Sequence, residues 1–234
     1  MPNDRAPRGP ARGRLVVFEG AEGVGKSTQV ARLAAACAAA GLPAASYREP
    51  GATALGERVR ALLLDPAAEV DPRAEALLFM AARAQLVARV AADLAAGAFV
   101  VLDRFFLSTY AYQIAGRGLD AAGVRAANAL ATNGLVPGVT LLLSCPPAVS
   151  AVRVAARGAP DRLEQAGVAF HARVAAAFAR AADPAWQAAH PEVGPVALVD
   201  AEGPPDAVTE RIGAALAARW PDLAETFGVV AESQ

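Results

Sequence analysis

Lysine is all but missing from this chain: of 22 basic side chains, 21 are arginine and one, Lys26, is lysine. A sequence that writes arginine elsewhere and keeps a compact ammonium at a single position marks a site where a planar guanidinium is no substitute. The scarcity also excludes a chemistry, because an Asn-Lys-x-Asp guanine-reading motif would need a further lysine, so a GTPase switch loses its support. Cysteine and histidine are scarce too. Cys37 and Cys145 lie far apart, outside any Cys-x-x-Cys pair, and His171 and His190 have no Cys or second His at ligand spacing. Neither a disulfide framework nor a metal knuckle is indicated. The thiols read as buried and reduced, the histidines as ordinary helix and loop residues.

Excess charge of either sign is absent, and a net charge of −1 argues against a general binder of nucleic acid or anionic membrane. No stretch of about 18 residues is apolar and free of charge and proline, and alanine supplies much of the 55% hydrophobic content. Residues 1–13 are rich in Pro, Gly and Arg but have no apolar core segment, unlike a secretory signal. They are expected to form a tail, residues 221–234 a second one, and residues 14–220 a single domain with a core of ample size. A soluble, cytoplasmic protein is expected.

What is present is Gly20-Ala21-Glu22-Gly23-Val24-Gly25-Lys26-Ser27, followed by Thr28. The spacing is that of a phosphate-binding loop, G-x-x-x-x-G-K-[ST]. Its glycines let backbone N–H groups turn inward around the phosphates of a nucleoside triphosphate, Lys26 reaches the outer phosphates, and the Ser27 hydroxyl can ligate Mg²⁺. Residues 14–19 (RLVVFE) form a short apolar run of strand type, and Ser27–Ala40 is Ala/Leu-rich and helix-prone. The loop therefore opens onto a helix N-terminus, which attracts anions.

Short apolar runs predict five strands: Leu15–Phe18, Ala44–Tyr47, Phe99–Leu102, Val139–Leu143 and Val196–Val199. Helical patterns separate them, over Ser27–Ala40, Leu55–Leu64, Ala74–Ala96, Ser108–Ile114 with Ala121–Thr132, Pro147–Arg157 with Glu164–Ala182, and Pro205–Arg219. Such alternation gives right-handed crossovers and hence an α/β fold, a parallel sheet with helices on both faces and ligands beyond the carboxyl ends of the strands. The residues of interest gather at those ends. The phosphate loop follows the first strand, Arg48-Glu49-Pro50-Gly51 the second and Asp103-Arg104 the third.

Asp103 stands where an acidic residue in a phosphate-loop fold can orient Mg²⁺ or its waters, and Arg104 can meet a second anion; an ordinary ion pair at a strand end is the alternative. Arg153, Arg157 and Arg162 are mounted on a segment broken by Gly158 and Pro160. A lid over a transferring phosphoryl group needs such cations, since that barrier falls through positioning and charge neutralisation, although a solvated helix face has the same composition. No apolar strand ends in the Asp-Glu pair that polarises water in many ATPases. Transfer to a bound acceptor is favoured over hydrolysis.

From about Arg14 to about Arg219 the order and spacing of these pieces resemble the thymidylate kinase family. The likeness is carried by the phosphate loop from Phe18 to Thr28, Arg48-Glu49-Pro50-Gly51, the Leu62–Asp65 turn, the helix from Ala74 to Gln85, Asp103-Arg104 with Ser108 to Gln113, Gly116-Arg117-Gly118, and Asp161-Arg162-Leu163-Glu164. The resemblance implies a phosphate-loop kinase with an arginine-bearing lid at residues 152–165, ATP and dTMP as substrates, Mg²⁺, and a homodimer. It implies that Lys26, Asp103, Arg104 and a lid arginine, Arg153 or Arg157 with Arg153 ahead, carry the transfer. Gly20 to Thr28 would hold the donor, and Ser27 and Asp103 the metal. For the acceptor it implies Glu22 near the sugar 3′-hydroxyl, Arg104 on the phosphate, Phe79 stacked on thymine and Arg83 donating to the base carbonyl. Phe79 alone would read as an ordinary core aromatic. Ser108 and Thr109 would reach the base edge, Gln113 would border it, Tyr112 would leave no room for a 2′-hydroxyl, and Arg48 and Pro50, often cis in the family, would line the site.

Three positions depart from the family pattern: Phe105 replaces Tyr or His, Ile114 replaces Gly, and Ser144 ends the fourth strand where an acidic residue is common. Two other readings share most of these features. One is a kinase for another nucleotide or a deoxynucleoside, and one is a protein that binds ATP to set a conformation without transferring phosphate.

Overall fold

The computed structural model describes residues 14–156 and 160–228. Five strands, β1 (Leu15–Glu19), β2 (Ala44–Arg48), β3 (Phe99–Asp103), β4 (Val139–Ser144) and β5 (Val196–Asp200), form one parallel sheet in the order β2-β3-β1-β4-β5. Each extends one residue beyond its apolar run, because a polar residue at the carboxyl end still pairs in the ladder. In the register Phe18 lies opposite Asp103, and Asp103 opposite Arg48, so the polar ends of three strands share one edge.

Side-chain alternation gives the sheet two buried faces. Leu15, Val17, Val100, Leu102 and Leu142 pack under α3 (Pro72–Ala95), α4 (Phe106–Thr109) and α7 (Val168–Arg180). Val16, Phe18, Phe99, Val101, Leu141 and Leu143 pack under α1 (Lys26–Ala39) and α9 (Pro205–Arg219). The remaining helices are α2 (Ala54–Leu64), α5 (Ala121–Thr132), α6 (Pro147–Ala155) and α8 (Pro184–Ala188).

Three expectations are corrected, and one short helix had no expectation attached. The helix over Ser108–Ile114 begins as α4 and continues as a π-helix, Tyr110–Gly116, a wider winding often found at functional sites. The helix expected from Glu164 starts only at Val168, because Gly167 takes φ 87° and ψ 161°; the residues before it form a turn in which Asp161 accepts from the Leu163 and Glu164 amides and Glu164 from that of Asp161. The short α8, capped by Asp183 on the Ala185 amide, has no apolar period long enough to read. Finally, the domain does not stop at residue 220. Pro221–Leu223 and Glu225–Phe227 form 3₁₀ turns that bury Leu223 and Phe227, whose ring lies 5.6 Å from that of Phe99.

Candidate active site

The loop between β1 and α1 is shaped by backbone that only glycine takes without strain. Gly20 and Gly23 have φ of 135° and 75°, and a β-carbon on them would come within 2.3 Å of the Leu143 carbonyl oxygen and 2.4 Å of the Ser150 carbonyl oxygen. The loop is therefore pressed against β4 and α6. No side chain caps α1, which leaves its first-turn amides for an anion. Lys26 is buried and donates from Nζ to the carbonyls of Gly20 (3.0 Å) and Ala21 (2.7 Å). Burial, then the neighbouring Arg104 charge, lowers its pKa to about 7 against the opposing pull of Asp103, Glu19 and Glu22.

Ser27 donates its hydroxyl to Asp103 Oδ2 at 2.7 Å. These are two hard oxygen donors at the phosphate-loop end of the mouth. A pair of such oxygens fits Mg²⁺, an ion that keeps several waters and takes further ligands from substrate phosphates. Among the described residues no group of three His, Cys, Asp or Glu is arranged to hold a metal alone.

Arg104, next in the chain, has φ 72°, a conformation a non-glycine residue holds only under local constraint. The constraints are visible. Its amide donates to Phe18 O, and its guanidinium donates to Gly20 O, Ser108 Oγ and Tyr112 Oη. Burial works against its charge, but Tyr112, Glu19, Asp103 and Glu22 outweigh it and raise the pKa. Tyr112 donates to Glu22 Oε1 at 3.2 Å, and burial raises its own pKa, so it remains a phenol.

A cavity of about 240 Å³ opens at these residues. All ten residues expected at the acceptor line it: Glu22, Arg48, Pro50, Phe79, Arg83, Arg104, Ser108, Thr109, Tyr112 and Gln113. Lys26, Ser27 and Asp103 line the same cavity, as do Asp161, Leu163 and Glu164. The Glu49-Pro50 peptide is cis. Arg48 is braced against Glu57 at 3.0 Å.

Two residues expected at the base already have partners within the protein. Arg83 was expected to donate to a base, yet its five N–H groups already face Glu49 Oε2 (from Nε and Nη2), Thr109 Oγ1, Asn128 Oδ1 and the Phe105 carbonyl. It lies 5.0 Å over the ring of Phe105, which is fully buried and so suits an aromatic without a hydroxyl. Ser108 was expected at the base edge, but its proton goes to Glu19 Oε2 at 2.6 Å while its oxygen accepts from Arg104. Thr109 accepts from Arg83, and a hydroxyl that accepts still has a proton to give.

Arg153 is not in this cavity. Its guanidinium donates to the carbonyls of Ala201 and Gly203 and lies about 4.0 Å from where a β-carbon on Gly25, in the phosphate loop, would sit. That position does not favour its ranking ahead of Arg157, which lies outside the described residues.

Sequence reading missed several residues. Glu19, wholly buried, accepts from the Phe105 and Ser108 amides and fixes the start of α4; burial raises its pKa, with Arg104 opposing. Glu49 lines the cavity and pairs with Arg83 at 2.6 Å, while its buried Oε1 has no hydrogen-bond partner among the described residues, a place for a ligand or water donor. Arg60 adds a further basic side chain beside Arg48 and Arg104 and donates to Pro50 O at 3.0 Å; nothing in the sequence pattern singles it out. Glu75, looking like one charge on an alanine-rich helix, is fully buried.

A family model described as thymidylate kinase matches residues 18–212. The chain belongs to the thymidylate kinase family. It is 45% identical over 210 residues to the thymidylate kinase of Deinococcus radiodurans, covering 89% of this chain and 98% of that one. The thymidylate kinase of Thermosynechococcus vestitus is 41% identical over 229 residues, 90% of this chain and 91% of that protein. The thymidylate kinase of Chromobacterium violaceum is 46% identical over 177 residues, 75% and 84% of the two chains. The matched span runs from the end of β1 into α9 and so includes both the phosphate loop and the cavity wall of this thymidylate kinase family member.

Proposed function

We propose that the protein transfers the γ-phosphoryl group of ATP to dTMP, giving dTDP and ADP, the step that feeds dTTP synthesis. The observation that carries this reading is one cavity lined both by Lys26, Ser27 and Asp103 and by Arg104, Tyr112 and Phe79. An acceptor phosphate oxygen attacks the γ-phosphorus, the bond to the β–γ bridging oxygen breaks, and ADP leaves with that electron pair. The acceptor is already anionic, so alignment and charge neutralisation replace a strong general base.

Arg104 holds the acceptor phosphate with Arg48 and Arg60 nearby, and Lys26 meets the donor phosphates. Ser27 and Asp103 would hold Mg²⁺, which neutralises phosphate charge when bound. Glu22 and Tyr112 shape the sugar pocket, and Phe79 and Thr109 face the base. The charge-offsetting role falls to a lid arginine, Arg153 or Arg157. The working unit is a homodimer through α3, whose Ala74, Leu77, Ala81, Ala84, Ala88 and Ala91 are all exposed at the 3-4 spacing of a helix-pairing seam. We place it in the cytoplasm, with its nucleotide substrates; no helix among the described residues is long and apolar enough to cross a membrane.

Lys26→Ala should lower turnover by roughly a thousandfold or more with the circular dichroism spectrum unchanged. A panel of acceptors with ATP and Mg²⁺ should rank dTMP first, dUMP next, and dCMP, dAMP and thymidine far behind. Preference for unphosphorylated thymidine would remove the role of Arg104, and ATP binding without any dTDP would turn the reading to a nucleotide-responsive binding protein.

A further inference from the structure

Glu75 lies on α3, one turn before Phe79, and is wholly buried, an expensive position for a carboxylate unless it is fully bonded. It is bonded from three directions. Gln113 Nε2 of the π-helix and Arg117 Nε each donate to Oε1 at 3.1 Å, and Arg117 and Arg162 donate Nη2 to Oε2 at 2.8 and 2.7 Å. Burial alone would raise its pKa, but the Arg117 and Arg162 donors bring it below the usual carboxylate range. It is held as an anion.

Two of the three arms reach the active cavity. Gln113 lines it directly. An ionised carboxylate offers only acceptors, so the Gln113 nitrogen must face Glu75, which fixes the amide and leaves its carbonyl oxygen for the ligand side. Arg162 sits between Asp161 and Leu163, both cavity-lining, and is also tied to α2 through Nε on Leu63 O (2.8 Å) and its amide on Leu64 O (3.3 Å). Arg117 stays in place over the Phe170 ring at 4.6 Å. Without the anion, the Arg117 and Arg162 guanidiniums would face each other uncompensated, and the lid turn would lose its inner anchor.

We propose that Glu75 is a positioning residue that couples the lid to the acceptor pocket, one carboxylate setting the Gln113 amide and docking the lid turn through Arg162. This rests on the dTMP kinase reading for its kinetic arm, while the exchange arm needs no substrate. The full-length protein is compared with Glu75→Gln, Glu75→Asp and Arg162→Ala for kcat, for KM toward dTMP and ATP, and for amide hydrogen exchange over residues 160–166.

A hydrogen bond to a charged group is large enough for Glu75→Gln to raise the dTMP KM by about tenfold or more, with the ATP KM within threefold and faster exchange over 160–166. Arg162→Ala should lower kcat and speed the same exchange with the dTMP KM within threefold, and Glu75→Asp should recover part of both losses. Wild-type KM or wild-type exchange in Glu75→Gln overturns the coupling, as does a change in only one of the two. A role confined to stability would lower the melting midpoint and leave the KM values alone. Should Glu75→Gln fail to fold, Arg162→Ala decides: unchanged exchange and kcat refute the docking. If the parent protein forms no dTDP, the kinase reading fails while the exchange comparison still tests the lid anchor.

Discussion

Loading the donor nucleotide should draw a proton onto Lys26. The ammonium is 7% exposed and donates only to carbonyls, and its pKa is lowered from 10.5 to about 7, by burial first and Arg104 second. Relative to an ammonium in water this is a cost of roughly 5 kcal/mol. A triphosphate against Nζ supplies opposite charge at contact distance and moves the pKa back toward the ordinary lysine range. The sign follows from the two states. At pH 8 about nine-tenths of Lys26 is neutral before binding and protonated after it, so uptake is roughly 0.9 proton, falling to about 0.1 at pH 6, where the group is already charged. Calorimetric titration with Mg²⁺ and a non-hydrolysable ATP analogue, in two buffers of different ionisation enthalpy, reads the number directly. Lys26→Met, titrated to saturation, should show no uptake. Equal uptake at pH 6 and pH 8, or uptake that survives in Lys26→Met, would refute the assignment of this lysine as a depressed, phosphate-responsive group.

Gly23→Ala should strain φ 75° and drive a β-carbon to 2.4 Å from the Ser150 carbonyl oxygen, costing about 2–4 kcal/mol and lowering the melting midpoint by roughly 5–15 °C. A thermal shift assay and ATP binding check it, and an unchanged midpoint with full affinity would mean that the loop does not bear on α6. Ala84→Glu places a charge in the middle of the exposed α3 seam. Light scattering coupled to size exclusion should show a dimer for the parent and a monomer for this variant, and a dimer that survives the substitution would move the interface elsewhere.

The parts of the site that were legible in the sequence are those where chain order and geometry coincide. Glycine spacing and one lysine define the phosphate loop, because neighbouring residues in a loop stay neighbours in space. Asp103 and Arg104 could be placed because a parallel sheet brings strand ends together whatever the strand order. Phe79 and Arg83 share a wall because they are one helical turn apart. The bonding of Arg83 was not legible. Its partners Glu49, Thr109, Asn128 and Phe105 come from three separate segments, and only packing decides that they exhaust its donors.

By itself, then, the sequence determined the strands, the parallel sheet and the donor loop, since each is set by local periodicity or by the φ that glycine allows. Tertiary structure decided which charges are spent inside the protein and which face the ligand. Glu19, Glu49 and Glu75 look like ordinary carboxylates in the chain and become buried anchors only when donors from distant elements converge on them, because a charge out of water is stable only where the fold supplies its partners.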